Sequence, residues 1–346
     1  MLLEGLEQPS GLAVCAKSLW TGARPGYDKS VAILPGEILD YVVAYLLSDT
    51  HAFSDIAAFS LVSYGFRQVA FRRYFVTFEV RSAAHWDNVC KIPGVPSCAR
   101  QLKVPTSCVQ SPLDTLSKFI SLLSLEVDFS SDGLFTQRTR CLFIFKNLTA
   151  DLTMLKLTFL PRVDTALISL VASHFPSLTT LELSSVERLD EQCCWLCFQE
   201  SSSCIVYSPI PDIFPSVDHL ARSFGKALQP LKRLEHIFLG IFLSDADVLI
   251  CHFDRCAPAI VLASPRTGFY SPPPFGPDQC VICVTEHAAA VRERERLASG
   301  LVGKALPSLK TIGWSSFFSK GGTGDSTQRK TTFCIRTLEE KAELKR

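Results

Sequence analysis

Apolar positions fall into two patterns along this chain, and they change over near residue 76. From residue 33 to 75 the spacing is helical. Leu34, Ile38, Leu39, Val42, Val43, Leu46 and Leu47 recur at three- and four-residue intervals and make a wide apolar stripe. Pro35 suits a first helical position, and Glu37 and Asp40 lie where a helix N-terminus favours negative charge. Ser54 and Asp55 are placed to cap a second short helix ending near Phe59. Ser63 is placed to cap a third, with Phe66, Val69, Ala70 and Arg73 along one face. Three short helices carrying this much apolar surface form a marginal unit, one that normally leans on a partner or a neighbouring domain.

Beyond residue 76 short runs recur with apolar residues at positions 1, 4 and 6. They are Ala99/Leu102/Val104, Leu122/Leu125/Val127, Leu152/Leu155/Leu157, Leu178/Leu181/Leu183, Leu234/Ile237/Leu239 and Leu309/Ile312/Trp314. In the last four a further apolar residue follows three positions later: Leu160, Val186, Phe242 and Phe317. The first four runs start 23, 30 and 26 residues apart. That spacing matches the roughly 20–29-residue period of leucine-rich repeats, in which each unit is a strand with a helical or irregular return. Helices are expected between the strands at Thr165 to His174, Ser216 to Leu228, Asp245 to Arg255 and Cys283 to Leu306. In the last, the run Arg292-Glu293-Arg294-Glu295-Arg296 reads as a solvated face.

The remaining segments bound this organisation. Residues 1–30 are rich in Gly and Pro and lack periodicity, which predicts a mobile lead-in. Residues 31–76 form the helical module. A repeat body follows over 77–318, with insertions at 193–215 and 258–279, and residues 319–346 form a tail. The second insertion carries a proline-rich loop from Pro258 to Pro277 that interleaves Phe269, Tyr270 and Phe275 with prolines.

Composition narrows the function classes. Lys and Arg number 35 against 34 Asp and Glu, so no strong field gathers nucleic acid or an anionic membrane. The longest apolar stretch, Val31 to Leu47, is interrupted by Pro35, Gly36, Glu37 and Asp40 and is not expected to span a bilayer. The N-terminus carries Glu4 and Glu7 without a basic flank and does not read as a signal peptide, so a cytoplasmic or nuclear location is expected. There are 14 Cys in no regular framework, which suits a reducing compartment. Cys194-x-x-Cys197 and Cys280-x-x-Cys283, with Cys251 and Cys256 between them, have metal-ligand spacing; a structural zinc on two such pairs stands beside simple burial as a reading of these thiols. Catalytic chemistry is absent from the pattern. Gly321-Gly322-Thr323-Gly324 lacks the closing residues of a phosphate loop, the seven His have no metalloprotease spacing, and no nucleophile elbow occurs. No catalytic residue and no cofactor is expected.

The most specific signal is Leu34-Pro35-x-Glu37-Ile38-Leu39, followed by Ser60-Leu61-Val62-Ser63-x-x-Phe66-Arg67. This pair of segments resembles the F-box. Tyr64, where a basic residue is frequent, and Gly65, inside a helix, depart from its pattern. The body, through LTMLKLTFLPRVD, FPSLTTLELSSVERLDE, LKRLEHIFLGIFLSDADVL and LPSLKTIGWSSFF, is similar to the C-terminal regions of fungal F-box proteins with degenerate leucine-rich repeats. The resemblance implies an α/β protein, a three-helix F-box followed by an irregular leucine-rich-repeat-like solenoid. It implies that Leu34, Pro35, Glu37, Ile38, Leu39, Val42, Leu46, Leu61, Val62, Ser63 and Phe66 bind a Skp-type adaptor, and through it a cullin. The body would then recruit an unidentified protein substrate for ubiquitination, using its concave strand face and the proline-rich insertion. An interaction scaffold outside the ligase, with or without structural zinc, is the alternative.

Overall fold

The computed structural model describes residues 34–48, 52–92, 95–109, 116–185, 209–211, 213–244, 248, 281–316, 318 and 330–335. The fold is mixed α/β. The lead-in, the proline-rich insertion, nearly all of the helix expected at Asp245 to Arg255, and Gly321 to Gly324 lie outside the described residues. Two compact units emerge. One ends at Val127 and also takes Lys146–Leu152; the other holds Asp128–Phe145 and the described residues from Thr153 onward.

The first unit opens with helices α1 (Gly36–Leu46), α2 (Phe53–Val62) and α3 (Tyr64–Tyr74). Strand β1 (Thr77–Glu79), helices α4 (Ala83–Cys90) and α5 (Val95–Cys98), and strands β2 (Gln101–Pro105) and β3 (Ser124–Asp128) follow. The three strands lie side by side in chain order, with β1 parallel to β2.

The second unit holds most of helix α6 (Leu134–Asn147), then β4 (Met154–Leu160), α7 (Thr165–His174) and β5 (Thr180–Ser185). Helix α8 (Val217–Leu228), β6 (His236–Phe242), α9 (Val281–Ala305), β7 (Thr311–Ser315) and β8 (Lys330–Cys334) complete it. Strands β4 to β7 pair in chain order and in parallel, and β8 closes the edge antiparallel to β7. That last strand comes from the segment expected to be a tail.

Each of the six runs forms a strand, and all three of its apolar positions are buried. One main-chain device repeats with them. The carbonyl immediately before a strand accepts two N–H groups at the start of the next. Val76 O takes Arg100 N and Gln101 N (both 2.9 Å), and Thr179 O takes Glu235 N (2.8 Å) and His236 N (3.0 Å). Glu235 O in turn takes Lys310 N (2.7 Å) and Thr311 N (3.1 Å). Buried carbonyls are thereby paired without a long turn, which lets strands stack in register.

Gly240 marks the tightest packing between strands. A Cβ there would sit 2.6 Å from Ser184 Cα and 3.0 Å from Leu183 O on β5. Backbone cannot yield as a side chain can, so Gly240→Ala should cost about 1–3 kcal/mol. A midpoint in denaturant unchanged from wild type would show that the strands have room to part.

The charged run on α9 is not wholly solvated. Arg292, Glu293 and Arg296 are exposed, but Glu295 is 1 % exposed. At 25 residues, α9 is long enough that one of the five charged positions turns onto the buried face with Val291, Ala298, Ser299 and Val302. Burial pushes the Glu295 carboxyl above its usual range, against the opposing pull of the Ser316 and Thr331 hydroxyls and of Arg292. Its Oε1 has no hydrogen-bond partner among the described residues. A carboxyl raised in the folded state contributes stability that is present below its unfolded value, about 4.3, and is lost as pH rises through the folded value. Glu295→Gln is therefore expected to raise the melting temperature by an amount that grows from acid to neutral pH. A pH-independent difference would contradict this account of the site.

Six cysteines among the described residues form no disulfide, and burial pushes Cys90 and Cys141 to about 12. Such thiols stay protonated and serve as small apolar side chains. Of the six cysteines with metal-ligand spacing only Cys283 is described, buried on α9; no cluster of metal-ligating side chains occurs among the described residues. Nor is any described helix long and apolar enough to cross a membrane.

Candidate docking face on the N-terminal helices

Local chemistry sets the three helices. Pro35 stands at the N-cap of α1, and its carbonyl accepts Ile38 N–H at 3.0 Å and Leu39 N–H at 3.3 Å. Helix α2 starts at Phe53, before the expected Ser54/Asp55 cap, and runs on to Val62 rather than stopping near Phe59. Asp55 reaches back from inside it to accept Ala52 N–H at 3.1 Å. Ser63 ends α2 in extended backbone and caps α3, its hydroxyl accepting Phe66 N–H at 3.3 Å. Arg67 donates from Nε to Ser60 O at 3.1 Å, so the basic residue of the second motif covers a carbonyl near the end of α2.

The module's core is small: Val43, Leu47, Ile56, Ala70 and Phe71 are buried, with Leu46, Phe53, Phe59, Tyr64, Val69, Tyr74 and Phe75 packed around them. Aromatic pairs close it, with Phe53 edge-on to Phe71 at 5.8 Å and Phe59 tilted against Phe66 at 4.7 Å between ring centres. Asp40 lies 3.5 Å from Arg73 and 3.9 Å from Arg72, exposed pairs of small energetic weight. A Cβ at Gly65 would meet Ser63 Oγ at 3.9 Å, an ordinary contact, and Tyr64 accepts a hydrogen bond from Gln68 Nε2 at 2.9 Å. The two positions that depart from the motif are thus accommodated locally.

Helix α1 is apolar on two faces. Leu39, Val43 and Leu46 follow the inward stripe and continue into Leu47. Ile38, Tyr41, Val42 and Tyr45 follow a second stripe at the same helical spacing, and they are 46 %, 76 %, 39 % and 80 % exposed. Leu34 ahead of the helix and Leu61 and Val62 at the end of α2 are also exposed, at 49 %, 72 % and 66 %. Large apolar side chains scattered singly over a surface need no explanation; seven within 29 residues of one small module do.

Of the eleven residues implicated from sequence, Leu34, Pro35, Glu37, Ile38, Val42, Leu61 and Val62 are exposed. Leu39 is buried, while Leu46, Ser63 and Phe66 are half-buried in packing or capping roles. Tyr41 and Tyr45 belong to the outward stripe yet were absent from the expected set. Their spacing from Ile38 was the available signal. Neither a family model, nor a curated protein, nor a solved structure matches this chain.

Proposed function

We propose that α1–α3 are an F-box that docks on a Skp-type adaptor, and that the strand-and-helix body is a leucine-rich-repeat-like surface that holds a protein substrate for a Skp–cullin ubiquitin ligase. The observation that supports this is the double-faced α1. An isolated domain gains nothing from presenting Ile38, Tyr41, Val42 and Tyr45 to water, whereas a foreign apolar groove would bury them at about 1.5–3 kcal/mol for each aliphatic side chain. The two halves of the sequence motif frame the same module: Leu34 and Pro35 lead into α1, and Leu61 and Val62 end α2.

The chain performs no bond chemistry in this reading. It raises the effective concentration of a substrate near the ubiquitin-charged enzyme, which makes an encounter between separate proteins behave as one within an assembly. The pairing of strands in chain order suits such a role, since stacked units build a broad surface from few residues each. The assembly places the chain in the cytoplasm or nucleus. Affinity purification of the full chain from cells under proteasome inhibition tests the proposal: adaptor and cullin should co-purify. Adaptor without cullin would replace the ligase role with a scaffold role, and neither would remove the reading.

A further inference from the structure

We propose that the groove between the start of α6 and the outer face of α7 binds a linear segment of a partner protein in which an apolar side chain stands next to carboxylates. The pocket has a volume of about 450 Å³. Its wall is mostly apolar, made by Leu134 on α6 and by Ala166, Leu167 and Leu170 on α7, and Arg138 and Arg162 stand with it.

The groove is held in shape before anything enters it. The Gln137 side chain, 6 % exposed, clasps the backbone of Arg162 on both sides: its Nε2 donates to Arg162 O at 2.7 Å, and its Oε1 accepts Arg162 N–H at 2.9 Å. Asp164 caps α7 by accepting Leu167 N–H at 2.9 Å, and its other oxygen lies 3.2 Å from Arg162 Nε. Fixed walls lower the ordering cost of binding. The strand leading into this corner carries Phe159 at a φ of 54°, beyond a register shift after Leu157, with its ring partly exposed. A bulky residue keeps that backbone only where its surroundings impose it.

Charge decides the occupant. The one carboxylate among the described lining residues, Asp164, is committed to the cap and to Arg162. Arg138 is exposed and has no ion-pair partner among the described residues. Arg162 is ion-paired with Asp164 and its Nε is buried, so among the described lining residues Arg138 is the cation left for an occupant. A guanidinium left open beside an apolar wall complements a carboxylate carried next to a leucine-like side chain. Choosing a protein segment over a small molecule rests on the reading of the body as a substrate surface; the test uses no adaptor, so the two can fail separately.

The experiment is fluorescence anisotropy on the full chain with three labelled peptides of equal length: alternating aspartate and leucine, alternating lysine and leucine, and alternating aspartate and alanine. The aspartate–leucine peptide should bind at least tenfold tighter than either other. Arg138→Glu should weaken it at least tenfold and shift preference to the lysine–leucine peptide. Ala166→Trp, filling the groove from an exposed position, should weaken both leucine peptides. Both variants alter exposed side chains, and wild-type melting curves will verify their folding. Equal binding of the three peptides, or binding that folded Arg138→Glu and Ala166→Trp leave unchanged, overturns the proposal.

Discussion

Replacing Ile38 and Val42 together by aspartate is expected to weaken binding of a purified Skp-type adaptor by about a hundredfold or more, while the melting curve of the chain stays where it was. Both side chains lie on the outward stripe of α1 and are substantially exposed. Charging them removes the burial of two aliphatic groups and forces carboxylates into an apolar groove. At about 1.5–3 kcal/mol for each lost side chain, and 1.4 kcal/mol per factor of ten, two positions suffice for a hundredfold. The contrast is Val43→Asp, one residue away and fully buried, which should unfold the module instead. Titration calorimetry beside thermal unfolding separates the cases. A double variant that binds like wild type would remove α1 from the interface.

Trp314→Ala should be the most destabilising substitution in the second unit, at about 3–5 kcal/mol. The indole is fully buried on β7, and its Nε1–H donates to Ser299 Oγ at 2.8 Å. The Ser299 hydroxyl in turn donates a hydrogen bond to Glu295 O at 2.7 Å, so a short chain of hydrogen bonds joins β7 to helix α9 inside an apolar layer. Truncation opens a cavity and strips Ser299 of a donor at once. With about 2–4 °C per kcal/mol for a unit of this size, the melting temperature should fall by roughly 10 °C. Trp314→Phe keeps a ring and loses only the N–H, so its penalty should be about half or less. Equal losses for the two variants would place the energy in the hydrogen bond rather than in packing.

The strands were legible because their signal is dense. Positions 1, 4 and 6 of each run are apolar, and all of them are buried. Part of the same signal went unread. Phe119, Phe175, Leu231 and Leu306 stand three residues ahead of their runs and are buried, closing short turns onto Leu122, Leu178, Leu234 and Leu309. Strand β1 escaped because aromatics, Phe75 and Phe78, take the first two positions of its run and only Val80 is aliphatic. Helix α6 escaped because its buried face includes Gln137 and Cys141, polar or small groups whose burial depends on what they meet across the core.

The candidate docking face was legible as a set and not residue by residue. Periodicity shows that α1 is apolar over a wide arc. Which half faces inward is decided by α2 and α3, whose packing claims Val43, Leu46 and Leu47. Leu39 falls with that half, whereas Tyr41 and Tyr45 fall with the other. Ser63 and Arg67 gain roles at the junction of α2 and α3 that their place in a motif does not disclose.

Hydrogen exchange of the full chain, with and without a purified Skp-type adaptor, addresses the central claim most directly. Protection should appear across residues 34–46 and 60–66 on adding adaptor, with little change in strands β4 to β7. A chain that binds the adaptor while those two segments exchange as before, or that shows no binding at all, would contradict it.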